Sequence, residues 1–513
     1  MCNLADTGIT NDILCAFEAG ERDLGIGLFE GAGGELFALF HGYENLEKIL
    51  SVMPEGLWRE HESFLGAYMI YLAKHGRAGR AMALLNDPEL IFERTFKSDL
   101  FALFMSIHLG DPVSTKQLNK WINIERRLPL ANPLLEGLFY NCMLAFFVQH
   151  GRIEEARIAG TRAITAFRDA NHQYLEHFIH LHLADLSIME GRLRDARRHL
   201  NFGIQLFRAS GQVYGNEEAI IEIIQLTLDY ETGHFEHIPA RAETLRRSLL
   251  AHDSWATIYV QLARITVKSV FFLQGRNTAL AELEKLRTGY TERHGGVTEV
   301  LAALEVSIDR LDGRLGDAEV GAMALDPQKL HSPIGQTLLR EVATQEMEPD
   351  GTEVEFSSPR TSIVDALQHA RQEAGHQRRR LVEKAFWLAV KEAHAAPFIE
   401  HRDVLTGIGA RLSSGRFARG HIQLARLARR TVDIIRRSYW MPAGLRDLNI
   451  TYHQYRVVTA LQSGASNKEI ARSLAVSEAT IKYHLAHLYR VFGVKKRGEL
   501  VEKFMLIQIN HKN

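Results

Sequence analysis

The sequence has few cysteines and prolines and no long apolar run, and each scarcity removes a class of protein. Three cysteines, Cys2, Cys15 and Cys142, stand far apart in 513 residues. Odd in number and widely spaced, they build no disulfide framework and suit a reducing compartment as free thiols. Twelve prolines leave long stretches open to helix, and no alternating β-type runs compete. No run of about eighteen apolar residues is present, and no charged-then-apolar leader follows Met1-Cys2-Asn3-Leu4. A cytoplasmic chain without a membrane span is therefore expected. A phosphate-cradling G-x-x-x-x-G-K-[ST] is missing too; the nearest glycine-rich stretch, Gly25 to Gly34, contains no lysine. No catalytic constellation is found, so no enzyme activity, cofactor or metal is expected.

Charge is present but unevenly spread. The net charge is −1 with a pI near 7.1. From Arg360 to the end there are 27 Lys and Arg against 12 Asp and Glu, whereas the first 359 residues hold 34 basic and 50 acidic. A basic C-terminal third attached to an acidic remainder is what phosphate attraction at one end requires.

Within that basic end lie two short helices with separate start signals. Ser466 and Glu469 have capping-box spacing and open a helix over Asn467 to Leu474. Ala475-Val476 makes the turn, Ser477 caps the next helix with Glu478 at its positive end, and Gly493 stops it. A third capping box, Thr451 and Gln454, opens a helix through Val457, Val458 and Leu461; a fourth helix is expected from Arg497 to about Gln508. In the second helix of the pair, Ile481, Leu485, Leu488 and Phe492 form one apolar stripe at helical period. The opposite face carries Ala479, Lys482, Tyr483, Ala486, His487 and Arg490, none of them acidic. Such a pair can set its second helix in a DNA major groove: Lys482 and Arg490 reach phosphates or guanine acceptors, Tyr483 and His487 donate or accept, and the alanines permit close approach.

The long acidic part is organised by repeats. A glycine followed by a second helix recurs at Gly42, Gly76, Gly110, Gly151, Gly191, Gly233, Gly275 and Gly313, at spacings of 34 to 42 residues. Five of these carry the dipeptide Gly-Arg, as in Gly151-Arg152 and Gly191-Arg192. Each glycine supplies a left-handed turn between antiparallel helices, and successive pairs bury their apolar faces against one another. Phe101, Phe104, Phe146, Phe147 and Phe207 read as core. His172, His177, His180 and His182 cluster without metal-ligand spacing and read as packed side chains. Acids and turn formers from Met347 to Pro359 mark a linker. The arginines that follow, Arg378 to Arg380 and Arg426 to Arg437, suit an auxiliary DNA contact or a solvated face that neutralises the acidic array.

Residues 446–510 resemble the LuxR-type helix-turn-helix domain. The match runs from Gly464 through Ala471, then Leu474, Val476-Ser477, Thr480-Ile481-Lys482, His484, Leu488-Tyr489, Gly493-Val494 and Arg497. The resemblance implies that Lys482, Tyr483 and Ala486 read bases, that Thr480 and the helix start Ser466, Asn467 and Lys468 lie near phosphates, and that the fourth helix pairs two domains on double-stranded DNA. Gln454 and Arg456 stand where the family usually has Glu, and Lys496 where it has a small hydroxyl residue. The glycine-punctuated region resembles a tetratricopeptide-like (TPR-like) array. Together with Phe398-Ile399-Glu400-His401 it is similar to the C-terminal part of large MalT-type LuxR regulators, without their ATPase domain. The expectation is an all-α bacterial transcription regulator: a helical-repeat sensor over 1–342, an acidic linker over 343–360, a basic helical segment over 361–440 and the DNA-binding domain over 441–513. A homodimer on DNA, RNA polymerase and an unknown effector on the array are the expected partners. Activation and repression both stay open. The alternative is a helical-repeat adaptor that uses the helix-turn-helix for docking.

Overall fold

A computed structural model describes residues 6–54, 56–109, 115–128, 132–211, 216–251, 256–290, 297–330, 332–342, 358–405, 407–438, 445, 448, 450, 452–462, 464–474 and 476–510. Every regular element among them is a helix.

The middle of the chain is a run of helix pairs: Pro133–Gln149 with Ile153–Asp169, Gln173–Met189 with Leu193–Ser210, Glu217–Glu231 with Ile238–Ala251, Ala256–Gln274 with Arg276–Tyr290, and Thr298–Asp312 with Leu315–Met323. The two helices of a pair differ in kind. From Tyr174 to Met189 nearly every side chain is buried, whereas Leu193–Ser210 buries only Leu193, Ala196, Leu200 and Gly203. In this pair the first helix is core on nearly all sides and the second covers it with one stripe. In Ile153–Asp169 that stripe is Ala156, Ala159, Gly160, Ala163, Ala166 and Phe167, and all but the last are small residues that let two helix axes approach closely. Ala256–Gln274 is the one helix among the described residues long and apolar enough to cross a membrane, and it lies buried within this array. Of the aromatics read as core, Phe101, Phe146 and Phe147 are buried, while Phe104 and Phe207 are half-buried.

The repeat glycines do what their spacing asks. Gly42, Gly76, Gly151, Gly191, Gly233, Gly275 and Gly313 have φ from 67 to 92°, a range that costs an L side chain strain; Gly110 lies outside the described residues. At Gly151, Gly191 and Gly313 the N–H of the following arginine donates to the carbonyl five residues before it (Arg152 to Phe147, 2.9 Å; Arg192 to Ser187, 2.8 Å; Arg314 to Asp309, 2.9 Å), which closes the helix end as a Schellman motif.

Two of these turns have a further duty. A Cβ on Gly191 would stand 2.8 Å from the Arg360 backbone nitrogen, and one on Gly233 would stand 2.8 Å from Ile434 Cδ1. Both turns receive the basic segment, which folds back on the array as the helices Pro359–Gln372, Gly375–Ala389, Ala396–Glu400, Gly409–Ser414 and Ile422–Arg437. His394 Nε2 donates to the Gly191 carbonyl at 2.8 Å, the Arg194 N–H donates to Glu392 at 2.9 Å, and the Ala395 N–H donates to the Glu231 carbonyl at 2.8 Å. Of the expected acidic linker, residues 343–357 lie outside the described residues. Ser358 N-caps the first helix of the segment in a capping box with Thr361.

Beneath this contact lies a buried cluster of ions that the sequence did not announce. Arg360 pairs with Glu400 at 2.8 Å and Glu231 at 3.1 Å. Glu231 is also held by Arg264 at 2.9 Å, and Lys268 bridges Glu341 at 2.8 Å and Glu400 at 3.3 Å. No side chain in the cluster is more than 6% exposed. The Tyr230 hydroxyl donates to Glu400 at 2.7 Å and Ser307 to Glu341 at 3.0 Å. Three carboxylates thus face three cations. Burial alone would raise the Glu231 carboxyl, but Arg360 and then Arg264 hold it well below the ordinary carboxylate range. Burial likewise opposes the charge on Arg360, and Glu231 and Glu400 overcome it.

The histidines are structural. His172 caps Gln173–Met189 by accepting from the Leu175 N–H at 3.3 Å, His177 Nδ1 donates to the Gly203 carbonyl at 2.8 Å, and His180 meets His199 at 3.1 Å. No group of three or more metal-ligating side chains among the described residues is placed to hold an ion.

Removing one member of the ion cluster should cost far more than the cluster's net contribution, because the remaining charges stay buried. Arg360→Met is expected to destabilise the array by about 3–5 kcal/mol, read as a lowered urea midpoint. Acid should act through the histidines. Burial lowers His177 to about 4 and both His182 and His401 to about 3. Below pH 6.5 the unfolded chain binds protons that the folded one refuses, so stability should fall from pH 6.5 toward 4, by up to about 1.4 kcal/mol per pH unit for each histidine. Urea midpoints at pH 7 and 5 should therefore differ, and His182→Gln should reduce the difference. Asp185 works the other way: burial raises it to about 7, so its share of stability is lost as pH rises from 3.8 to 7, and Asp185→Asn should stabilise the protein at pH 8.

Candidate nucleic-acid interface

Four helices make the C-terminal unit: Tyr452–Gln462, Asn467–Leu474, Glu478–Phe492 and Arg497–Asn510. Val457, Val458, Leu461, Ile470, Ile481, Leu485, Leu488, Phe492, Leu500 and Phe504 are buried between them. Ile481 to Phe492 are the stripe expected at helical period. Because that stripe faces inward, the opposite side of Glu478–Phe492 must face out.

Both helix starts are built as their spacing predicts. The Ser466 N–H donates to Glu469 Oε2 at 2.7 Å, while the Glu469 N–H donates to Ser466 Oγ at 3.3 Å. Ser477 Oγ accepts from the Thr480 N–H at 3.1 Å, and the two hydroxyls meet at 2.8 Å. Gly493 ends the helix with φ 61°, and the Val494 N–H donates to the Tyr489 carbonyl at 2.9 Å. Thr451, the proposed partner of Gln454, lies outside the described residues; Gln454 itself is buried. At the fourth helix, where Lys496 replaces a capping hydroxyl, Glu499 reaches back and accepts from the N–H groups of Lys495 and Lys496 at 3.0 and 3.2 Å. One half of a capping box thus serves without the other.

The candidate contact residues divide by position. Ala479, Lys482, Tyr483, Ala486 and Arg490 are exposed on the outer face of Glu478–Phe492, with Tyr483 69% exposed. Ser466 and Lys468 are exposed at the start of the preceding helix. Asn467 and Thr480 are half-buried and already engaged: Asn467 Oδ1 accepts from Arg497 at 3.3 Å and Thr480 pairs with Ser477. His487 is half-buried, and its Nδ1 lies inside without a hydrogen-bond partner among the described residues. His484 is held below its ordinary range by burial and then by His453 and His487; it stacks on His453 at 6.5 Å and belongs to the wall behind the face.

Two supporting residues escape a reading by helical faces. Arg497 donates to Asn467 and to the Ala465 carbonyl, tying the fourth helix to the start of the second. Lys503 donates to the Phe492 carbonyl at 2.8 Å and satisfies the end of the outward-facing helix. Their signal in the sequence is only a basic residue near a helix end.

A two-helix unit with its second helix presented this way defines the class: a helix-turn-helix of the DNA-reading kind. Residues 449–504 match the family described as bacterial regulatory proteins, luxR family, and the C-terminal domain is a LuxR-type helix-turn-helix. Over 52 residues the chain is 44% identical to the CsgBAC operon transcriptional regulatory protein of Escherichia coli (strain K12), covering 10% of this chain and 24% of that protein. Over 63 residues it is 38% identical to the HTH-type transcriptional regulator MalT of Serratia proteamaculans (strain 568), covering 12% of this chain and 7% of that protein. The chain therefore spans less than a quarter of the length of each of these relatives. No solved structure matches it at a significant level.

Arg497→Met removes two charged hydrogen bonds at once and is expected to destabilise the domain by about 2 kcal/mol. Faster amide exchange over residues 467–474 in the full chain would register the loss.

Proposed function

We propose that this protein is a sequence-specific DNA-binding transcription regulator. The observation that carries the reading is the exposed, acid-free face of Glu478–Phe492, held outward by a capped and packed LuxR-type domain. Lys482, Tyr483 and Ala486 lie on the base-reading face, Arg490 and the Ser466 to Lys468 helix start contact phosphates, and His487 reaches in at the edge. The acidic array over 1–342 receives an effector or partner, the 361–440 segment relays its state, and residues 441–513 bind DNA. A dimer through the fourth helix follows from the family resemblance, and Met505 and Leu506, 42% and 51% exposed there, offer it apolar contact. The fit is to a bacterial cytoplasmic regulator that works with RNA polymerase.

The test is DNA selection with the full chain, followed by titration in salt. One enriched site is expected, with log affinity falling about 0.9 for each phosphate contact per log unit of salt. Lys482→Ala with Tyr483→Ala should remove preference for that site at unchanged helical content, and Arg490→Ala should reduce the salt slope by about 1. Normal operator preference in the double variant would assign base reading to another face. Absence of any sequence preference at every salt would favour the adaptor.

A further inference from the structure

The first half of the array holds a half-open apolar cavity of about 130 Å³ between the helices Glu62–Lys74, Phe96–Leu109, Pro133–Gln149 and Gln173–Met189. Its walls include Phe101, Phe104, Tyr174 and Phe178. Well-packed cores keep few voids of this size, since an unfilled apolar space lowers stability in proportion to its volume. An engineered cavity of about 150 Å³ lined by such side chains stays dry and takes up benzene. One aromatic ring is therefore the scale of a natural occupant.

The polar atoms on the wall narrow the chemistry. Asn141 Oδ1 is buried and has no hydrogen-bond partner among the described residues, so the wall offers an acceptor to a donor on the occupant. The charges are already answered. Glu35, the carboxylate among the lining residues, pairs with Lys97 at 2.7 Å. Lys74 lies over the rings of Tyr43 and Phe178 at 5.3 and 5.5 Å. His182 is kept neutral by burial and then by His108. A neutral ring with one O–H or N–H meets the Asn141 acceptor without adding a charge beside Glu35, Lys97 and Lys74.

The cavity also touches the element that leads to the rest of the molecule. Tyr174, Phe178 and His182 belong to Gln173–Met189. On the same helix Asp185 accepts from Gln261 at 3.2 Å, Gln261 accepts from Arg264 at 3.2 Å, and Arg264 enters the ion cluster through Glu231. The turn after that helix, at Gly191, receives His394. An occupant of the cavity therefore packs against the helix whose end, at Gly191, seats the segment that precedes the DNA-binding domain.

We propose that this cavity is a binding site for a small neutral aromatic molecule carrying one hydrogen-bond donor, of the phenol or indole class. The inference rests on the reading of the array as the effector-receiving region. Phenol, indole and toluene titrated calorimetrically into the full chain provide the test, with heat-unfolding temperature as a second readout. Phenol and indole should bind saturably at one site per chain and raise the unfolding temperature. Asn141→Ala should weaken phenol about tenfold, the loss of one hydrogen bond, and leave toluene unweakened. Ala145→Phe, which places a ring in the cavity, should abolish binding of all three; circular dichroism checks its fold, and Asn141→Ala carries the test if that variant does not fold. Absence of saturable binding by phenol and indole to the native chain, or equal weakening of phenol and toluene by Asn141→Ala, would overturn the proposal. Operator binding measured on the same sample separates the two readings: site-specific DNA binding without phenol or indole binding sinks this inference alone, and the reverse sinks the regulator alone.

Discussion

Six charges buried together hold this molecule in one arrangement. Glu231 comes from the third helix pair described, Arg264 and Lys268 from the fourth, Glu341 from the last helix before residues 343–357, and Arg360 and Glu400 from the segment after them. Taking such groups out of water is expensive, so the cluster adds little net stability over an apolar filling. What it supplies is uniqueness. An apolar surface tolerates sliding, whereas three buried carboxylates and three buried cations must each meet a partner, which ties the elements to the register that pairs them. The fold-back of residues 359–438 onto the array follows from this, with Gly191 and Gly233 clearing the space.

The constraint has a consequence for the DNA-binding end. The helix Ile422–Arg437 buries Leu424, Leu427, Ala428, Thr431 and Val432 against a segment already locked to the array. Its arginines are divided between contacts and solvent: Arg430 meets His234 at 2.5 Å and Arg429 donates to the Ser413 carbonyl at 3.0 Å, while Arg426 and Arg436 are exposed. The helix Ile422–Arg437 thus stands on a rigid support, and the positive charge that makes the last third of the chain basic is partly structural. The face of Glu478–Phe492 differs in that Lys482, Tyr483 and Arg490 are exposed and enter none of the ion pairs of the described residues.

Much of this could be seen in the residues before the fold was known, and the limit is physical. Gly76, Gly151, Gly191 and Gly313 announced their turns because a left-handed backbone penalises every other residue type. Ser466, Glu469 and Ser477 announced helix starts because orphan N–H groups need an acceptor within three residues. The stripe Ile481, Leu485, Leu488 and Phe492 announced its own burial, and with it the exposure of Lys482 and Tyr483. All of these are local rules. Arg497 bonding Ala465 and Asn467, Glu499 capping in place of Lys496, and the vacancy beside Asn141 depend on distances across the fold and leave no periodic trace.

Sequence by itself determined the helix pairs, the capped helix-turn-helix and the charge division, because each is decided by backbone strain, side-chain period or composition within a few turns. Tertiary structure alone decided which charges are spent inside and which remain for a partner. Arg264, Lys268 and Arg360 look no different in sequence from Lys482 and Arg490. The first three lose their hydration to face Glu231, Glu341 and Glu400, with Arg360 reaching Glu231 across 129 positions, while the last two keep theirs because nothing among the described residues covers them.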